Sequence, residues 1–277
     1  MRIRLSIGLL IAFGLLSAPA AAERPDKPSI AIKTRAAEIT VTVESKLKRY
    51  PSLAANLVAE GRRFVAKSRA EADEDYATNR DWFADGRRWT YERVYSFRSL
   101  VAERYVSIVR DDGIFTGGAH PNTLIDTILW DLATKKRISI RRFFVETEDN
   151  GATMTVLATL IRRAVAAAKI DRWEDSRPDS EKGKPQATPE QIAEDDEQLI
   201  KRVAPLLIKI GPITLAPSTI AGKSSGLTVH YSPYDVDAYV AGPYTVFVHW
   251  QAFKDRLSAE GAAIFAGDRP ADDKTDP

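Results

Sequence analysis

The order of hydrophobic periods along the chain restricts its fold more than any other feature. Ile39, Val41 and Val43 alternate with Thr40 and Thr42, the period of two expected of a strand with one buried face. Pro51 then opens a stretch in which Leu53, Leu57, Val58, Phe64 and Val65 share one side at helical spacing, which predicts a helix over about 51–75. The period returns to two where Trp89, Tyr91, Tyr95 and Phe97 stand at alternate positions, interrupted only by Arg93. A strand over about 101–110 follows, and strands at about 124–132 and 136–140 flank the polar turn 133–136. Met154, Leu157, Leu160, Ile161, Val165 and Ala168 predict a second helix over about 152–170. Strands near 206–215, 226–231 and 244–250 come next, with a closing helix from Gln251 to about 260. Runs of strands between helices, without regular alternation, predict the α+β class: an antiparallel β-sheet meander with helices packed on one face.

Two basic residues and an apolar run from Ile7 to Leu16 precede Ala20, Ala21 and Ala22, the pattern of a secretory signal peptide over 1–22. The run is shorter than the roughly 20 residues of a membrane span, so removal is expected to leave no spanning segment. Residues 23–85 read as an N-terminal strand–helix region, and 86–267 as a larger C-terminal domain. That domain carries a polar, proline-containing insertion near 174–190, after which Pro189 and Glu190 open a short acidic helix to about Val203; 268–277 read as a frayed tail. Two of the 40 basic residues, Arg2 and Arg4, lie in the leader, leaving 38 against 38 acidic ones. A balanced chain lacks the cationic excess needed to neutralise phosphates, which argues against nucleic-acid binding. The chain has no cysteine, which removes disulfides, thiolate chemistry and lipidated cysteine. The expected location is periplasmic or secreted.

Chemistry-bearing patterns are sparse. The three histidines, His120, His230 and His249, lack the short spacing of a metal site, so no metal and no cofactor are expected. No serine stands in a Gly-x-Ser-x-Gly elbow, and no glycine-rich loop ends in the lysine and hydroxyl of a phosphate cradle. Asp111 and Asp112 read as part of a tight turn with Gly113 rather than as a catalytic pair.

Two segments are shaped beyond the needs of a connection. In Thr116–Asn122, Gly117 and Gly118 permit backbone geometry closed to other residues, and Pro121 pushes His120 towards an extended conformation. In 231–244, four tyrosines, two prolines and a glycine offer amphipathic contact area at low entropic cost, as protein-binding loops do. Tyrosines anchoring a loop to a core would give the same composition, and a tight structural crossing explains the first segment equally well.

Thr116–Asn122, followed by Trp130, Asp131, Leu132 and Thr134, then Ile138, Ile140, Phe143 and Phe144, resembles the RsiV-like extracytoplasmic domain family. The resemblance resumes at Gly226 and Leu227, then Tyr234, Asp235, Val236, Ala238, Tyr239, Ala241 and Gly242, and covers roughly 85–260. The strand and long helix before it look like that family's frequent companion domain. Lys135 and Lys136 stand where the family's turn usually has a glycine. The cytosolic anti-sigma segment of RsiV and the polysaccharide deacetylase domain fused to some relatives have no counterpart, so neither role transfers.

The resemblance implies a non-catalytic binding module for lysozyme or another cell-wall hydrolase, with peptidoglycan fragments as a further ligand. The candidate partner-binding residues are Gly117, Gly118, His120, Pro121 and Asn122 of the first segment, with Pro233, Tyr234, Tyr239, Gly242 and Pro243 of the second. The alternative is a glycan-binding protein, or a carboxylate-dependent peptidoglycan hydrolase with Asp235 and Asp237 as the nearest acids.

Overall fold

A computed structural model describes residues 26–179, 188–190 and 196–273. The signal peptide, the middle of the polar insertion and part of the acidic helix lie outside the described residues. No described helix is long and apolar enough to cross a membrane.

Six strands form one sheet in sequence order: β1 (Ile30–Lys33), β2 (Ala37–Val43), β3 (Trp89–Val101), β4 (Tyr105–Phe115), β5 (Asn122–Asp131) and β6 (Lys136–Arg137). The sheet is mixed, which corrects the expectation of a purely antiparallel meander. β2 and β3 run parallel, Ala37 opposite Trp89 and Val43 opposite Tyr95. The cause is the helix between them, α1 (Pro51–Thr78), which crosses over the sheet as a parallel connection requires. This pairing also runs across the boundary expected near residue 85.

Alternate residues of the sheet serve two cores. Ile39, Val41, Tyr95, Val106, Ile108 and Trp130 face α1. Val101, Tyr105 and Leu129 point the other way, into a core built with α2 (Ala152–Ser176) and a second sheet. That sheet has three antiparallel strands, β7 (Ile213–Leu215), β8 (Gly226–Tyr231) and β9 (Tyr244–His249). The helices are therefore split between two cores and do not share one face. Every residue of β8 is buried. The outer edge of β7 is tied to the first sheet, since Ser99 donates to the Leu215 carbonyl at 2.6 Å and the Leu215 amide donates to Ser107 at 3.1 Å. Unpaired edge groups are thereby satisfied. The chain is completed by α3 (Glu197–Arg202) and α4 (Ala259–Ile264).

The Asp112–Gly113 turn is not formed. Both residues lie inside β4, opposite Arg93 and Glu92. The β3–β4 turn comes earlier, where Ala102 and Glu103 take φ of 53° and 50° without a glycine. Asp112 is instead half of a buried ion pair. Arg93 donates to both of its oxygens at 2.6 Å, with the guanidinium 4.1 Å from the centre of the Phe64 ring and 3.7 Å from Glu60. A second buried carboxylate, Asp131, accepts from Arg104 at 2.8 and 2.9 Å, from Arg142 at 3.1 Å and from the Ala133 amide at 2.9 Å. The Arg104 hydrogen bonds, the strongest influence, hold its carboxyl well below the usual range against the opposing effect of burial.

The strand expected at 206–215 shrinks to Ile213–Leu215. Gly211 at φ +96° and Pro212 break it, and a side chain at Gly211 would come within 2.8 Å of Tyr231. The strand expected at 136–140 stops at Arg137 and gives way to a 3-10 turn at Ile140–Phe143. The closing helix divides into a 3-10 stretch at Trp250–Arg256 and α4. The helix α2 continues to Ser176, into the stretch expected to be insertion. The tail does not fray directly after Gly267: Trp250 donates to the Gly267 carbonyl at 3.0 Å, and Asp273 is held by Arg98 and Arg269.

Candidate functional site

The two shaped segments, over one hundred positions apart in sequence, meet on one surface. The first connects β4 to β5. Its Gly117 has φ +84°, and a side chain there would lie 3.1 Å from Trp89 and 3.2 Å from Trp82. Only glycine meets both the backbone and the space requirement, so the loop lies flat on the tryptophans. His120, exposed, stacks on Tyr239 with ring centres 3.6 Å apart and planes 18° from parallel. The Tyr239 hydroxyl donates to the Pro121 carbonyl at 2.6 Å, and Nδ1 of His120 lies 3.0 Å from the same oxygen. One carbonyl thus ties both rings together.

The second segment runs from the end of β8 to the start of β9. Tyr231 is buried and donates to the Ile210 carbonyl at 2.9 Å. Burial raises its hydroxyl pKa far above the tyrosine value. Tyr244 is also buried and donates to Asp237 at 2.7 Å, its pKa pushed up to about 12 by burial and then by that carboxylate. Burial works against ionisation of Asp237, yet the Tyr244 hydroxyl and the Ala238 amide hold its pKa below the usual carboxylate value. Asp235 accepts from the Ser232 amide at 2.7 Å, and the Ser232 hydroxyl accepts from the Ile125 amide at 2.9 Å. The last bond fastens the segment to β5. Both acids named as hydrolase candidates are engaged in holding the loop.

Two arginines close the arrangement. Arg172 of α2 lies 4.0 Å over the Tyr244 ring and donates to the Ala241 and Pro243 carbonyls, the latter at 2.9 Å. Arg202 of α3 donates to the carbonyl of Tyr234, whose φ is +74°. A tyrosine in the left-handed region is strained and needs such support. Exposed apolar and aromatic groups stand among the polar ones: Tyr234 is 55% exposed, Val240 92%, and the Tyr234 and Tyr239 rings lie 5.3 Å apart.

His120, Pro121, Asn122, Tyr234 and Gly118 are exposed, and Tyr239 and Gly117 are half-buried. Pro233 is buried, a correction to its assignment as a contact. Gly242 and Pro243 are half-buried, with Gly242 at φ +73° and the Pro243 carbonyl committed to Arg172, so they shape the loop. Val240, Arg172 and Arg202 were missed. Val240 sits inside a segment read for its tyrosines, and the arginines lie on helices where nothing in the sequence points to a loop.

The other histidines stand apart. His230 is buried on β8 with Nε2 3.0 Å from the Thr214 hydroxyl, and burial, with Arg98 nearby, lowers its pKa to about 4. His249 lies 3.3 Å from Asp268. Among the described residues, no three histidine or acidic side chains are grouped as a metal ion would require.

Residues 144–251 match the model of a family described as a protein of unknown function, DUF3298. The match runs from the end of the first sheet through α2 to β9 and includes the tyrosine-rich segment. Two solved structures of that family are similar to this chain. One, from Bacteroides fragilis, has 15% identity over 85% of this chain and 96% of its own, with a TM-score of 0.48. The other, from Pseudomonas aeruginosa, has 16% identity over 88% and 97%, also with a TM-score of 0.48. No curated protein matches the chain.

Proposed function

We propose that this chain is an exported, non-catalytic binding module of the cell envelope that recognises a protein, lysozyme or another cell-wall hydrolase, through the patch formed by His120, Tyr234, Tyr239 and Val240. The observation that carries the reading is the stack of His120 on Tyr239, which joins two distant loops, beside a tyrosine and a valine left open to solvent. Rigid aromatic groups on a held backbone lose little entropy on binding and are favoured as anchors. The buried tyrosines, Asp235, Asp237, Arg172 and Arg202 are spent on rigidity, which suits recognition rather than turnover. The tyrosine-rich segment also carries part of the resemblance to a lysozyme-binding family.

The test is titration of residues 23–277 against lysozymes of different types, with binding followed by calorimetry and lysis followed on cell-wall substrate. Saturable binding with loss of lysis supports an inhibitor. Binding with lysis unchanged supports a sensor or carrier. Absence of binding to every lysozyme removes this partner class and directs the search to glycans.

A further inference from the structure

The contact between α1 and the first sheet holds a second, unrelated feature. A helix on a sheet ordinarily closes over aliphatic side chains, yet here charged groups line a cleft of about 400 Å³ beside α1. Its floor is the Arg93–Asp112 pair, with residues only 8% and 4% exposed, together with Arg110 and Glu60 at 2.8 Å. Paired charges withdrawn from water often stabilise a fold no more than apolar residues of the same volume would, so a charged floor is not what packing alone favours. The Nε of Arg110 is buried, 3.6 Å from Asp112 and without a hydrogen-bond partner among the described residues, while its other nitrogens pair with Glu60 at 2.8 Å and Asp126 at 3.0 Å.

The walls have a different character from the floor. Phe64, Tyr91, Ile114 and Leu124 line the cleft, and Leu124 is 45% exposed. At the mouth stand Arg63 and Lys67. Lys67 is 3.7 Å from Glu71, whereas Arg63 has no ion pair among the described residues. The cleft therefore has four cationic side chains against three carboxylates, Glu60, Glu71 and Asp112, around an apolar wall. A concave site of this volume with apolar walls and a few convergent polar groups is the usual form of a small-molecule site.

We propose that this cleft binds a small organic carboxylate, with its apolar body against Phe64, Tyr91 and Leu124 and its charge at Arg63. The residues belong to α1 and β3–β5 and are separate from the aromatic patch, so the proposal stands without the protein-binding reading.

The experiment is calorimetric titration of residues 23–277 with octanoate and, separately, with 3-phenylpropionate, alongside octanol as an uncharged control. Saturable binding of either carboxylate, weakened at least tenfold in Arg63→Glu and for octanol, is the expected result. Preference for octanoate or phenylpropionate distinguishes an aliphatic from an aromatic body. Arg63 is exposed and has no ion pair among the described residues, so the variant is expected to keep the wild-type melting temperature. A second variant, Leu124→Trp, narrows the mouth and is expected to weaken binding equally. No saturable binding of either carboxylate, or binding unchanged in both variants, overturns the proposal.

Discussion

Asp112→Asn separates two accounts of the same residue. In a tight turn asparagine serves as well as aspartate, because both side chains bond their own backbone and tolerate unusual φ, and the change would cost a few tenths of a kcal/mol. In β4, however, Asp112 is the partner of a guanidinium whose side chain is only 10% exposed, through two hydrogen bonds of 2.6 Å. Removing one partner of a buried ion pair costs about 3–5 kcal/mol, because the other charge stays buried and uncompensated. Glu60 remains 3.7 Å from Arg93, which places the expected loss near the lower end, about 3 kcal/mol. For a chain of this size each kcal/mol corresponds to about 2–4 °C, so the melting temperature should fall by about 6–12 °C, measured by circular dichroism. The neighbour supplies the opposite control. Gly113 has no left-handed φ, and the nearest atom to a new Cβ would be 3.8 Å away on Glu92, so Gly113→Val should change stability by less than about 1 kcal/mol. A fall below about 2 °C in Asp112→Asn, with a large loss in Gly113→Val, would restore the turn and refute the buried pair.

Tyr234→Ala and Tyr239→Ala should each weaken binding to a confirmed partner by about 2 kcal/mol, roughly 30-fold, with the melting curve little changed; binding within twofold of wild type would exclude the patch. His230 folds neutral with a pKa lowered to about 4, while the unfolded chain takes up a proton near 6.5. Stability from this group is therefore complete above pH 6.5 and falls as pH drops towards 4, by about 3 kcal/mol in all. Urea unfolding of His230→Asn should show less acid sensitivity in that window than wild type, and parallel curves would count against the burial of a neutral imidazole. Lys135 sits at φ 55° in the β5–β6 turn. Lys135→Gly should raise stability by about 0.5 kcal/mol, seen as a higher urea midpoint with unchanged slope, because relief of left-handed strain exceeds the added chain entropy; a lower midpoint would contradict it.

The elements with a clean period were legible. Ile39, Val41 and Val43 do face a core, and both long helices begin within a residue of their expected starts. What failed was punctuation. Asp-Gly is a strong local turn signal, but at 112–113 the side chains of Arg93 and Glu60 outweigh it, and these are distant in sequence. The real turn uses Ala102 and Glu103, which carry no turn signature. The parallel pairing of β2 with β3 leaves no trace in either strand, since a half-buried strand reads alike in both directions. At the candidate site the shaped loops were visible through glycine, proline and tyrosine. Their meeting was not, because the His120–Tyr239 stack depends on how β5 and β8 are placed in space. Nor could composition divide the four tyrosines into two that anchor and two that face outward.

The parallel pair has a consequence for how the chain can be cut. β2 and β3 stand on either side of α1 in sequence but share seven registered positions in the sheet. A fragment beginning at residue 86 would keep β3 yet lose its neighbour, baring a long strand edge together with Trp89, Tyr91 and Tyr95, which α1 and β2 now cover. Such an edge recruits strands from other molecules. The segment before residue 86 and the domain after it therefore close one sheet together, and a cut between them divides a single folding unit.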